Sequence, residues 1–334
     1  MKNSKIEWTD HTFNPWRGCA KVSAGCANCY AETLSGRNPK TLGIWGLRGT
    51  RVVASRSIWS EPAKWNEQTA HDCRLCGEVY YAGRFDGLAE CTCSGKPVFC
   101  HPRKPRVFCA SLADVFEDWK EETTVLKGAP DFRDLDEARR ALFCVIDETP
   151  NLDWLLLTKR PENVMRMVPD WWRNAFPNNV WMGTSVENQE MAYKRIPELL
   201  QIPAKVRFLS CEPLLGPVDL RGMNLDPGDP FFSYWPLTGE HIADGMNEPR
   251  INKGAARIHW VIAGGESGPQ ARPMSWGWAD GLRIQCKAAG VPYLFKQWGE
   301  HDATGLKVGK KAAGRLLDGM EHNGYPTRTE GAQV

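Results

Sequence analysis

The first stretch able to do chemistry is Gly18 to Glu32, GCAKVSAGCANCYAE, which sets Cys19, Cys26 and Cys29 at C-x6-C-x2-C spacing. Two thiols would suggest a disulfide or redox pair, and four would close a structural zinc site. Three protein ligands leave one position on a metal open. Three thiolates on one loop can meet on a four-iron, four-sulfur cube whose fourth iron then has no protein ligand. Zinc is the competing reading, with His11 or another distant ligand completing a Cys3His set. Thiols packed without metal are the third.

A second group lies in residues 71–101, HDCRLCGEVYYAGRFDGLAECTCSGKPVFCH, with Cys73 and Cys76, Cys91 and Cys93, then Cys100 and His101. Paired thiols around a hairpin-like stretch suit a zinc ribbon, in which tetrahedral thiolates replace the core that a small insertion cannot build. Cys73, Cys76, Cys93 and Cys100 are the expected zinc ligands; an auxiliary iron–sulfur cluster and metal-free thiols are the alternatives. Beside them Lys96, Arg103, Lys104 and Arg106 form a basic loop suited to phosphate contacts or simply to water. Cys109, Cys144, Cys211 and Cys286 sit in apolar runs or on apolar helix faces and are expected to pack as small hydrophobes, Cys211 with less force because it follows a strand.

The elements that must position these groups follow from periodicity. From about residue 106, short apolar runs alternate with helical spacing: VFCA (107–110), WLLL (154–157), VWMG (180–183), VRFL (206–209), WVIA (260–263) and PYLF (292–295). Leu135, Ala138, Leu142 and Val145 share one helical face, as do Ala192, Ile196, Leu199 and Leu200, and Trp278, Leu282, Cys286 and Ala289. Pro197 is expected to restart its helix. Apolar strands alternating with helices predict an α/β fold with a parallel sheet, a complete or partial (β/α) barrel, with a doubly wound sheet as the competitor.

Barrel chemistry collects on the loops after the carboxyl ends of the strands. Those loops carry Ser111 and Asp114; Lys159 and Arg160; Ser185 and Glu187; Glu212; Gly264, Gly265, Glu266 and Ser267; and Lys296 and Gln297. Cations, carboxylates and hydroxyls around one mouth are what a zwitterionic ligand requires. The expected organisation is 1–65, the cluster-loop part of the barrel; 66–105, a cysteine-rich insertion; 106–298, the remaining barrel with a loop insertion at 222–258; and 299–334, an edge or tail of short strands and turns.

Together IEWTDHTFNPWRGC, the three-cysteine spacing, LLLTKRP, SCEPLLGPVDL, VIAGGESG and LFKQWGE resemble the radical S-adenosylmethionine (SAM) superfamily, and within it a phage- and prophage-associated three-Cys-motif family. The resemblance runs from Ile6 to about Pro326 apart from the two insertions. It implies a partial (β/α) barrel of radical SAM type with a zinc-ribbon-like insertion. It also implies a 4Fe-4S cluster on Cys19, Cys26 and Cys29, SAM on the open iron, an external electron donor, and hydrogen abstraction from a substrate.

Under that resemblance Ser111, Lys159, Arg160, Ser185, Glu187, Glu212, Gly264, Gly265 and Ser267 hold the cofactor, and Glu266 and Lys296 are catalytic. Three departures accompany it. The first spacing is six residues where three is usual, Asn28 precedes the third cysteine where an aromatic is common, and the GGE-like motif at 264–266 falls late in the chain. The phage association suggests a nucleotide or DNA base as substrate and a neighbouring phage-encoded protein as partner. The function from a different class is a non-catalytic zinc protein that binds nucleic acid or a partner protein. A dinucleotide enzyme built on GGESG lacks the G-x-G-x-x-G pattern.

Bulk composition bounds these readings. The chain has 334 residues, 42% hydrophobic and 25% charged, and a net charge of +2, so no polyanionic partner is demanded by charge alone. No apolar leader follows the start, and no run is apolar for the span of a bilayer, so a membrane role is not expected and a cytoplasmic location is, the host bacterial cytoplasm if the gene is a phage's. Thiols stay reduced there, which favours metal ligation over disulfides among the 12 cysteines.

Overall fold

The computed structural model describes residues 4, 6–73, 79–83, 90, 91, 93, 98–121, 123–225, 228, 232–242, 250, 251 and 255–326, with backbone alone at 83, 90, 91, 98–101, 250 and 251. Its main sheet has strands β1 (His11–Phe13), β2 (Arg106–Cys109), β3 (Asp153–Thr158), β4 (Val180–Ser185), β5 (Val206–Cys211), β6 (Trp260–Gly264) and β7 (Tyr293–Gln297). Their spatial order is their sequence order, β1 to β7. A doubly wound sheet reverses direction at a switch point, and this order has no reversal. The β1/β2, β2/β3, β5/β6 and β6/β7 pairs are parallel. Every residue of β4 and β6 is buried, as expected where a parallel sheet is covered on both faces. Among the described residues no helix is long and apolar enough to cross a membrane.

Helices α1 (Tyr30–Arg37), α2 (Leu135–Glu148), α3 (Gln189–Gln201) and α4 (Trp276–Ala289) bear on the site. Asp134 caps α2 by accepting from the Glu137 N–H at 2.7 Å, and Asn188 caps α3 by accepting from Met191 N–H at 3.0 Å. Gly290, left-handed at φ 66°, ends α4. The expected restart at Pro197 does not occur: α3 runs through it. The carbonyl deprived of a partner is that of Tyr193, an exposed residue, where water can replace the lost donor.

The chain divides into two compact units: Met1–Ala20, Ser35–Leu156 and Val168–Trp181 form the first, and Lys21–Leu34, Leu157–Met167 and Met182–Val334 the second.

In the first unit α2 buries Leu135, Ala138, Leu142, Phe143 and Ile146. Cys144 is exposed, contrary to the packed role expected of it, because it lies on the opposite face of the helix. A buried fork joins Arg51 to Glu117, Nε to Oε2 at 2.6 Å and Nη2 to Oε1 at 2.8 Å, and the guanidinium also lies 3.8 Å over the Trp119 ring.

The cysteine-rich insertion is an antiparallel sheet ordered Val79–Gly83, Gln68–Cys73, Val98–Arg103, Glu90–Cys91. The Cys73 and Cys93 sulfurs are 3.7 Å apart; Cys76 and the side chain of Cys100 lie outside the described residues. Among the described residues no group of three or more His, Cys, Asp or Glu side chains is placed to hold a metal ion, so the zinc-ribbon-like reading is corrected. Ladder hydrogen bonds, ion pairs and rings hold these strands. Arg103 bonds Asp72 at 2.7 Å and both carboxylate oxygens of Asp10, Tyr81 donates to Asp10 at 3.1 Å, and the His11 ring stacks on Trp65 and Tyr81. Of the basic loop, Lys96 lies outside the described residues, Arg103 and the buried Arg106, within 3.9 Å of Asp72, join this network, and Lys104 donates to the Pro150 carbonyl.

In the second unit the 222–258 segment contains a three-stranded antiparallel sheet, Ser233–Trp235, Glu240–Ile242 and Arg250–Ile251. Residues beyond 299 form isolated bridges, His301 with Lys307 and Leu317 with Met320. Gly183 on β4 has no room for a side chain, since a Cβ there would stand 2.3 Å from the Phe208 ring of β5. Cys211 and Cys286 are buried, and desolvation pushes both thiols up, Cys286 to about 12.

Candidate functional site

The three early cysteines do not form the site expected of them. Cys19, in the first unit, directs its sulfur to the Ala20 carbonyl at 3.4 Å. Cys26, in the second, stands 4.0 Å from Ser23 Oγ. Cys29 immediately precedes α1, and burial pushes its thiol up; the Glu32 and Ala31 N–H groups and the charge of Lys159 pull the other way without overcoming it. No three His, Cys, Asp or Glu side chains among the described residues are arranged to hold a metal, so neither the 4Fe-4S cluster nor the Cys3His zinc site fits. The SAM cofactor, the radical SAM enzyme and the alternative zinc protein all depended on such a site, and all three are corrected with it.

Polar side chains of the second unit do collect at the carboxyl ends of its strands. Backbone bonds join these ends: Val186 N–H to Ser210 O at 3.0 Å, Leu215 N–H to Glu187 O at 2.7 Å, and Leu214 N–H to Gly264 O at 2.9 Å. After β3, Lys159 Nζ donates to Ser185 Oγ at 3.1 Å, and the buried Arg160 caps its turn through its N–H and Thr158 Oγ1 at 2.9 Å. After β5, Glu212 follows in a cis peptide with Pro213 and accepts from Lys296 Nζ at 2.7 Å. Gln297 Nε2 bonds Ser267 Oγ at 2.9 Å.

A bulge aims Lys296. The β6/β7 register pairs Ala263 with Phe295 and Gly264 with Gln297, so Lys296 is the extra residue and turns toward Glu212. Gly264 lies under the pair: a Cβ there would be 3.4 Å from Lys296 Cβ and 3.5 Å from Glu212 Cδ. Gly265 is needed for a different reason, a close approach that would put its Cβ 1.8 Å from the Trp298 carbonyl oxygen.

Glu187, expected to bind the cofactor, and Glu266, expected to be catalytic, are both engaged with protein. Glu187 pairs with Arg195 of α3 at 2.8 Å and accepts from Gly25 N–H at 3.2 Å. Burial pushes its carboxyl up, but the charges of Arg195 and Lys159 and the Ser23 hydroxyl hold it below the ordinary range. Glu266 is gripped by Arg272 and accepts from Asn28 Nδ2 at 3.0 Å, and these bonds likewise overcome burial and depress it. Ser111 belongs to the first unit, where it bonds Asn14, Nδ2 to Oγ at 3.1 Å.

Sequence reasoning passed over Arg195 and Arg272. Both stand close in sequence to the carboxylates they serve, Arg195 on the helix that Glu187 precedes and Arg272 on the loop after Glu266, and a search for local acid–base pairs would have found them.

No curated protein matches the chain, and no solved structure does. The family model that matches is described as a protein of unknown function, DUF5131, and the resemblance to the radical SAM superfamily is corrected on this match together with the metal-site geometry. Because that model covers residues 3–326, nearly the whole length, the chain belongs to the DUF5131 family.

Proposed function

We propose that the second unit binds a small zwitterion of the α-amino acid type at the carboxyl ends of its strands. One observation carries this reading: Lys296 and Glu212 form a pair at 2.7 Å whose side chains are 15% and 19% exposed. A pair on open surface is worth little, and a sealed pair meets no ligand. This one is mostly dry yet reachable, so a ligand's ammonium can take Glu212 while its carboxylate takes Lys296, leaving no charge unpaired. Gln297 and Ser267 flank the pair as neutral hydrogen-bonding groups. Lys159 and Ser185, on the neighbouring strand ends, are suited to the polar remainder of the ligand. Parallel strands running in sequence order, as in (β/α) barrels, keep their ligand sites at this end.

Calorimetric titration with free α-amino acids, their amides and their N-acetyl derivatives tests the reading. The amino acids are expected to bind saturably while the two singly charged analogues do not. A nucleoside monophosphate that outcompetes every amino acid would replace this reading with a phosphate site.

A further inference from the structure

Residues 21–34 of the second unit have few apolar contacts of their own. From Lys21 to Leu34 only Gly25 and Ala31 are buried, and Val22, Tyr30 and Leu34 are exposed. Polar bonds to three side chains seat the segment. Gly25 N–H and the Ser23 hydroxyl meet Glu187, Asn28 Nδ2 meets Glu266 at 3.0 Å and the Gln270 carbonyl at 2.7 Å, and Arg272 Nη2 reaches back to the Ala24 carbonyl at 3.0 Å. Gly25 is fitted to this seat, since a Cβ there would stand 3.1 Å from both Cδ and Oε1 of Glu187. Both carboxylates are themselves fixed by arginines, so the seat is rigid and the segment is the part free to leave.

We infer that residues 21–34 are a strap, and that Glu187 and Glu266 are positioning residues which hold it beside Lys159 and so govern access to that end of the site. The strap is held next to Lys159 by position: Gly25 N–H bonds Glu187 at 3.2 Å, and Glu187 stands two residues beyond Ser185, whose hydroxyl accepts from Lys159 Nζ at 3.1 Å. This deepens the ligand-binding reading and rests on it for the identity of what enters. It reassigns Glu187, expected to hold a cofactor, and Glu266, expected to be catalytic: Glu187 is shared between Arg195 and the strap, and Glu266 between Arg272 and the strap.

Mass-mapped alkylation of Cys26 and Cys29 by iodoacetamide, with acylation of Lys159 by acetic anhydride, reads strap position without any ligand. Asn28→Ala removes both bonds of its Nδ2, to Glu266 and to the Gln270 carbonyl, and leaves both ion pairs intact; Glu266→Gln is the companion variant. In each, labelling at Cys26, Cys29 and Lys159 is expected to rise about tenfold, the factor a lost charge-assisted hydrogen bond gives when local opening limits reaction. Cys211 and Cys286 should keep the wild-type rate, which excludes general loosening. Unchanged rates at the strap cysteines, or faster cysteines with an unchanged Lys159, would overturn the inference. If all three accelerate while wild-type protein binds no amino acid, the strap stands and the ligand reading falls.

Discussion

Arg272 closes a fork on Glu266: Nη2 lies 2.6 Å from Oε1 and Nε 2.9 Å from Oε2, and the Arg272 backbone N–H adds a third bond to Oε2 at 2.8 Å. Since the arginine is partly exposed, solvent screens the pair, and Arg272→Ala should cost about 1–2 kcal/mol in urea denaturation. Arg272→Lys should recover less than half of that, because an ammonium cannot reproduce the fork. Full recovery by lysine would show that charge alone matters here.

Glu187 and Arg195 are a different case, with side chains only 1% and 2% exposed. Removing either partner strands a charge in the interior. Glu187→Gln and Arg195→Met are each expected to destabilise by about 3–5 kcal/mol. The double variant Glu187→Gln/Arg195→Met should be less damaged than the sum of the two, and strict additivity in a double-mutant cycle would contradict the pairing.

Two glycines make opposite predictions about rescue. At Gly183 the obstacle is a side chain, the buried Phe208 ring, so Gly183→Ala should lower the thermal midpoint and Phe208→Leu in the same chain should restore part of it. At Gly265 the obstacle is backbone, the Trp298 carbonyl, and trimming the Trp298 side chain should restore nothing to Gly265→Ala. Restoration at Gly265 would mean that the close approach has been misjudged.

The β/α rhythm was legible because apolar runs flanked by polar loops are a local signal: VRFL and WVIA fall inside β5 and β6. Even Glu212, just after β5, could be read this way, whereas Lys296 lies within the end of β7 and not on the loop expected for it. What could not be read was partnership. The spacing of Cys19, Cys26 and Cys29 says that three thiols are near in sequence, but whether their sulfurs converge depends on turns such as the one that directs Cys26 to Ser23. The basic loop misleads for the same reason, because the carboxylate that neutralises Arg103 is Asp10, nearly a hundred residues away and near it only once folded. Pro197 was read by propensity, which the packing of α3 through Ile196 and Leu199 overrides.

Asp10 supplies a pH test confined to the first unit. Burial pushes its carboxyl up, but Arg103 through hydrogen bond and charge, and Arg106 after it, hold it below the ordinary 3.8. A carboxyl depressed in the folded state adds stability that is complete above the ordinary value and is lost as pH falls through the folded one. The wild-type denaturation midpoint should therefore drop more steeply below about pH 4 than that of Asp10→Asn. Parallel curves in this window would mean that Asp10 contributes no proton-linked stability.

The most direct test of the ligand reading is the charge preference of the site before and after Glu212→Gln, measured by calorimetry with a free amino acid and its N-acetyl derivative. The wild-type protein should bind the zwitterion saturably and the N-acetyl form not at all, and the variant should bind the zwitterion at least about tenfold more weakly, since a lost charge-assisted contact is worth this much. A wild-type protein indifferent to the ammonium group, or a Glu212→Gln protein that keeps the full preference, would contradict the account.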